Sequence, residues 1–459
     1  MLSVAAGVLV GAIVVGSVIG LGVLQTMAQS FATRAAADLQ LPPADARPDS
    51  GDKLQVAVAF GVGGSVVADA LAPYGVFAKS EKFNVFTVSS DGAPVGLSGG
   101  LTAVPDYSIA DLRSNRAPEP DIVVVPAFAD PAGAANAPVR KWIQEAHSAG
   151  ATILGVCAGA QVLAAAGVLE GRTATSHFAE LGSLSSNHPE TTWVRGHRYV
   201  DDGRITTTAG VTSGIAASLH LVERFAGRAE AERIGQEVGA HEWQDFDDTT
   251  IPVNTIGPED YPYLLGAAVP WFKPTYAVAI TEASDEIDIA AAFEVYSGSS
   301  FATKLVPIST APVVETHNGL TLLAATPADL EAHPDRVVVP GEDTPSLAPL
   351  KVWIEANSIP VFVSKHPSAS ESSFAPFLRD LADTTDAATA RTLAKYIEYP
   401  VRDVTASAAF PGRLVVLTAA IVLLGAGAGI ATWMIANPRT RLRKALRRAR
   451  RGYETGERS

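Results

Sequence analysis

The chain has 459 residues, 47% of them apolar and 18% charged, a balance that excludes a disordered or fibrous protein and suggests roughly two or three domains. A formal charge of −13 argues against general nucleic-acid binding, which needs a clustered basic surface. The single cysteine, Cys157, excludes an intrachain disulfide and any multi-cysteine zinc or iron–sulfur site, so it is inert, intermolecular or chemically active.

In chain order, Val4 to Leu24 carries no charge, and the run is long enough to span a bilayer as a helix. A secretory signal is the alternative, but no Lys or Arg precedes the run, and the run exceeds a signal core of roughly 7–15 residues. Gly7 with Gly11, Gly16 with Gly20, and Gly425 with Gly429 lie four apart, a spacing that lets helices pack closely.

From about residue 53 the chain alternates short β-branched runs (LQVAVAF, NVFTVSS, DIVVVPAF, ATILGV) with helical patterns. Continuous apolar strands separated by helices predict a doubly wound, mostly parallel sheet over 50–240. Residues 241–272, rich in Pro, Asp and aromatics, read as a linker that packs. A second α/β pattern over 273–404 echoes the first. AVAF at 57–60 recurs as AVAI at 277–280, DALAPYGVF at 69–77 as DIAAAFEVY at 288–296, and DIVVVPAF at 121–128 as DRVVVPGE at 335–342. VRKWIQEAHSAGATILGV, from 139, recurs as LKVWIEANSIPVFVS, from 350, and all offsets lie between 211 and 220. Kept order and spacing predict a duplicated domain. The second copy has Lys365-His366-Pro367 where the first has its cysteine, and reads as a structural partner.

Leu414 to Ala436 is a second uncharged run of spanning length, and a basic tail occupies 437–459. From Arg439 onward nine basic side chains face two acidic ones, so the tail carries +7 and the rest of the chain −20. By the positive-inside rule the tail is cytoplasmic. Two spans then place the N-terminus inside as well, and the acidic middle on the extracytoplasmic side. The expectation is an integral protein of a bacterial plasma membrane whose tail contacts anionic lipid and sets topology.

Cys157 follows the strand Ala151–Val156 and precedes a small-residue helix. A nucleophile at a strand-to-helix turn needs small neighbours, which Ala158, Gly159 and Ala160 supply. A helix start also lowers a thiol pKa, and the N–H groups of Ala158 and Gly159 are placed to face an oxyanion. An ordinary buried cysteine is the alternative. The other histidines show no metal-ligand spacing and no P-loop is present, so no metal or cofactor is expected.

Gly155-Val156-Cys157-Ala158-Gly159, the run from Gly167 to His177, and Thr208 to Ile215 resemble the DJ-1/PfpI family of the class I glutamine amidotransferase-like superfamily. The subgroup is the one fused to AraC-type regulators and found in isonitrile hydratases. The resemblance covers 53–240 strongly and 273–404 weakly, and the step from Cys157 to His177 fits the family's spacing. It implies two tandem flavodoxin-like domains that form an intrachain pseudo-dimer, since family members usually dimerise, with the cysteine at the elbow and an acidic residue of the first helix, here Asp69, against its sulfur. His177 is then a general base or a hydrogen bonder in the site wall. For Asp69 the alternative is a helix-start cap.

Three positions depart from the family. Ala127 and Phe128 follow Pro126 where a Gly-Gly helps form the oxyanion hole, leaving the Ala127 N–H as the candidate there. Ala216 follows Gly214-Ile215 where the isonitrile hydratases have an acidic residue. The first-helix glutamate is Gly75 and survives only in the second copy, as Glu294. These changes disfavour isonitrile hydration. The expected function is a cysteine-dependent site acting on a small electrophilic or amide-type substrate, with Cys157, Asp69 and His177 as its catalytic groups. The alternative is a non-catalytic ligand or redox sensor signalling through the spans.

Overall fold

The computed structural model describes residues 2–36, 38–42, 51–240, 248–271, 273–341, 347–364, 371–400 and 412–437. The linker start at 241–247, Lys365-His366-Pro367 and the basic tail beyond residue 437 lie outside the described residues.

The first part of the chain contains α1 (Leu2–Ser30), β1 (Leu54–Ala59), α2 (Val67–Ala78), β2 (Phe83–Ser89), β3 (Val95–Leu97), β4 (Leu101–Val104), β5 (Tyr107–Ser108) and α3 (Ile109–Arg113). It continues with β6 (Ile122–Val125), α4 (Ala137–Ala149), β7 (Thr152–Gly155), α5 (Gly159–Ala165), β8 (Thr173–Ala174), α6 (Leu181–Asn187), β9 (Thr192–Trp193), β10 (Tyr199–Asp202), β11 (Ile205–Thr208), α7 (Val211–Ala226) and α8 (Arg228–Glu237). After α9 (Tyr261–Ala268) come β12 (Thr275–Ala279), α10 (Glu286–Phe293), β13 (Lys304–Ile308), β14 (Val313–Glu315), β15 (Thr321–Leu323), β16 (Arg336–Val339), α11 (Ala348–Ala356), β17 (Val361–Val363), α12 (Phe374–Thr384), α13 (Ala387–Tyr396) and α14 (Gly412–Ala436).

Two compact units result. One comprises 27–263 with 272–410 and is an α/β flavodoxin-like body. Its main sheet runs β10-β11-β7-β6-β1-β2-β5, parallel throughout except for the β10–β11 pair. The Val/Ile-rich runs form its centre because both faces are covered and every position can be apolar. A second parallel sheet runs β13-β12-β16-β17, the same relative order as β2-β1-β6-β7.

The two sheets are tied together in two ways. Strand β15 pairs antiparallel with β4, so one small sheet, β14-β15-β4-β3, draws strands from both sequence halves. Helix α2 is buried along nearly its whole length and packs on α10. Gly75 permits this approach, since a Cβ there would lie 2.7 Å from the Ile287 side chain. One apolar cluster therefore runs from Val56 and Leu71 through Ile289 and Phe293 to Leu393. In the described part of 241–272, Asp260 accepts from Thr392 and pairs with Lys395.

The other unit comprises 1–26, 264–271 and 411–459. Val4–Ser30 and Val415–Ala436 are long and apolar enough to cross a membrane, judged by length and composition. Their glycines meet: a Cβ on Gly7 would lie 2.7 Å from the Gly429 carbonyl oxygen, and one on Gly11 2.8 Å from that of Gly425. Gly16 and Gly20 face no neighbour within 4 Å.

Candidate active site

Between β7 and α5 the chain turns through Val156, Cys157 and Ala158. Cys157 has φ +56°, a left-handed backbone that residues with a side chain seldom adopt and that persists only where the surroundings enforce it. Here the enforcement is visible. The Cys157 N–H donates to Thr208 Oγ1 at 2.9 Å, and its carbonyl accepts from Ser176 Oγ at 3.1 Å. The Val156 N–H meets the Val125 carbonyl at 2.9 Å, extending the β6–β7 ladder to the residue before the turn. Small neighbours are a steric requirement. A Cβ on Gly159 would lie 2.1 Å from the Val125 carbonyl oxygen, and one on Gly214 2.7 Å from Val156 Cγ1.

Asp69, in the first turn of α2, is fully buried against the elbow. Its Oδ2 accepts the Ala127 N–H at 3.2 Å, its carboxyl hydrogen-bonds the Cys157 thiol, and its Oδ1 is buried without a partner. Burial and the Glu294 charge push the Asp69 carboxyl well above the usual range, against the pull of Ala127 and Cys157. The thiol is also pushed up, first by burial, then by the charges of Asp69, Glu398 and Glu294, with only the Ala158 N–H opposing. This reverses the sequence expectation of a thiol lowered by a helix start. Helix α5 is short, and a few N–H dipoles do not offset desolvation amid carboxyls. Carboxyl and thiol thus form a buried pair that retains a proton between them.

The three N–H groups expected to face an oxyanion are separated by the structure. Ala158 points its N–H at the sulfur. The Ala127 N–H is engaged by Asp69, and the Gly159 N–H donates to the Val156 carbonyl at 2.7 Å.

His177 is buried beside the elbow, but its hydrogen bonds lead away from the sulfur. Nε2 lies 2.9 Å from the Tyr396 carbonyl oxygen, and Nδ1 accepts the Ala179 N–H at 3.4 Å. That pair of partners assigns the Nε2–H tautomer. Burial lowers its pKa to about 4, so the ring is neutral at pH 7. It packs against the Tyr396 ring with centroids 4.2 Å apart.

The far half of the body supplies the rest of the wall, which the motifs of the first half do not reveal. Glu294, just past α10, is buried against the Ala68 N–H and Ser299, and burial raises its pKa to about 7. Tyr396, the last residue of α13, lies in the field of Cys157, Glu180, Glu294 and Asp69; burial and those charges raise its phenol well above the ordinary range. Glu398, two positions on, has φ +59°. Its carboxyl accepts from Ser213 Oγ at 2.7 Å and from the Gly210 N–H, while its carbonyl accepts from Thr212 Oγ1 at 2.9 Å. Burial raises Glu398 to about 7 against the opposing Arg198 charge. Glu294 is visible in the sequence as a displaced family glutamate. Tyr396 and Glu398 carry no motif; only the hydrogen bonding of the segment after α13 to the start of α7 brings them in. Among the described residues no cluster of three or more His, Cys, Asp or Glu is arranged to hold a metal.

A parallel α/β sheet with a left-handed cysteine at a strand-to-helix turn, backed by a helix-borne carboxyl, defines a cysteine-elbow protein of the flavodoxin-like class. Residues 57–224 match the DJ-1/PfpI family, and through this domain the chain belongs to it. The chain is 29% identical over 150 residues to the HTH-type transcriptional regulator CdhR of Pseudomonas aeruginosa, covering 33% of this chain and 43% of that protein. It is 29% identical over 178 residues to an isonitrile hydratase of Pseudomonas putida, covering 36% and 70%. With an uncharacterized protein in the cpoL 5′ region of Streptomyces lividans it shares 32% over 130 residues, covering 28% and 89%. It therefore spans less than half the length of CdhR.

Proposed function

We propose that the chain is a membrane-anchored DJ-1/PfpI-type thiol protein in which Cys157 attacks a small electrophilic or amide-type carbon. The observation that carries this reading is the Cys157 backbone, held at φ +56° by Thr208 and Ser176 with its sulfur on Asp69. An inert core cysteine has no need of a strained turn or of a buried carboxyl with an unpartnered oxygen. In the step envisaged, the Cys157 thiol gives its proton to the Asp69 carboxylate as the S–C bond forms, and the π pair of the attacked carbon moves to its heteroatom. His177 orders the wall by donating to Tyr396.

The second α/β half, with its repeated strand order, acts as the partner copy of an intrachain pseudo-dimer. The two apolar helices anchor this body on the extracytoplasmic face of a bacterial plasma membrane, supported by the Arg-rich tail after the second helix. The similarity to CdhR favours a second reading, a ligand or redox sensor that signals through the spans. Replacing Cys157 by Ser separates the two. In the detergent-solubilised full chain, screened against small aldehydes, amides and nitriles, Cys157→Ser is expected to lower any turnover at least ~10³-fold. Turnover that survives Cys157→Ser sinks the nucleophile reading, and ligand binding that survives without turnover supports the sensor.

A further inference from the structure

Three carboxyls act on the elbow thiol: Asp69, Glu294 and Glu398. Asp69 Oδ1 and Glu294 Oε2 are buried without a hydrogen-bond partner. Arg198 is the cation that faces this group, and it is set against Glu398. The other groups that face Glu398 are Ser213 and the Gly210 N–H at the start of α7, and Cys157 on the elbow. The segment carrying Glu398 is clamped: the Thr212 N–H donates to the Ile397 carbonyl at 3.1 Å, and a Cβ on Gly210 would lie 2.8 Å from Glu398 Cγ. Its carboxyl is therefore fixed in position, and it is ionised above pH 7.

We infer that Glu398 is a specificity-determining positioning residue, placed by the second half of the chain so that the Cys157 site takes uncharged or cationic electrophiles and rejects anionic ones. In a desolvated site, like charges at short range are repelled far more strongly than in water, so an ionised Glu398 disfavours an anion beside the sulfur. This inference rests on the reading of Cys157 as a nucleophile and names the charge class of its substrate. Arg198 works in the opposite sense, screening part of the Glu398 charge.

The test uses the full chain in detergent, where Cys157 is the only thiol, and three methanethiosulfonates: methyl (neutral), aminoethyl (cationic) and sulfonatoethyl (anionic). In each case the Cys157 sulfur forms the new S–S bond and methanesulfinate leaves. Rates at pH 8.5 are normalised to those of N-acetylcysteine. The cationic reagent is expected to outpace the anionic one by about tenfold or more. Glu398→Gln, which keeps an acceptor for Ser213, should narrow that ratio about threefold or more, and Arg198→Met should widen it. A purely structural role would move all three reagents together in both variants. Equal normalised rates in the parent protein, or a ratio that Glu398→Gln and Arg198→Met shift in the same direction, overturns the assignment of Glu398 while leaving the nucleophile intact. A Cys157 that labels only in denaturant overturns the nucleophile reading, and this inference with it.

Discussion

Gly159→Ala is expected to cost about 3 kcal/mol or more of folding stability and to abolish selective labelling of Cys157. The added Cβ would sit 2.1 Å from the Val125 carbonyl oxygen and 3.1 Å from the Pro126 carbonyl. Both obstacles are backbone atoms at the end of β6, in the centre of the main sheet, and no rotamer change relieves them. Relief requires α5 to move away from β6, which pulls Cys157 off Thr208 and Asp69. Gly182→Ala is the control, because nothing lies within 4 Å of a Cβ added there. In helix α6 it should be neutral or stabilising by up to about 1 kcal/mol. Denaturation midpoints of the two variants decide the matter, and a Gly159→Ala protein that unfolds with the parent would show that the elbow is not close-packed.

Stability is expected to fall as the pH rises toward 8, and Glu294→Gln should remove part of that fall. Glu294 and Glu398 have folded pKa values of about 7 against an ordinary 4.5, both raised by burial. Each contributes stability that is fully present below pH 4.5 and lost as pH rises through 7, on the order of 3 kcal/mol per group at most. His177 runs the other way between about 4 and 6.5, because its neutral form is the one the fold accepts. It offsets roughly one glutamate over that interval, so the net decline is steepest between about pH 6.5 and 7 and levels off above. Glu230, held at about 2 mainly by Arg233, acts only in acid. Relative to the parent, Glu294→Gln should gain stability progressively from pH 5 to 8, as read from urea midpoints at each pH. A difference that does not change with pH would mean that Glu294 is not the group titrating.

Much of this architecture is legible in the chain because it depends on local pattern. Runs such as IVVV at 122–125 need no partner to be read as strands buried on both faces, and the two long uncharged stretches read as helices able to cross a membrane. The small residues after Cys157 announce a tight turn. That Asp69 lies against Cys157 is implied by the family resemblance and not by local pattern, since the two are far apart in the chain.

What local pattern cannot carry is the balance of forces after burial. The thiol expected to be lowered by a helix start is raised, because the chain brings carboxyls from distant segments into one desolvated space. His177 follows the cysteine closely in sequence, yet its hydrogen bonds are set by the carbonyl of Tyr396, in the far half of the chain. Glu398 has no motif and gains its place only when the segment after α13 is hydrogen-bonded to the start of α7. Strand periods, apolar spans and turn chemistry are properties of neighbours along the chain and were readable before folding. The charge around Cys157, the tautomer of His177 and the membership of the site's wall were decided by tertiary contact, since desolvation and Coulomb energy depend on distances in space.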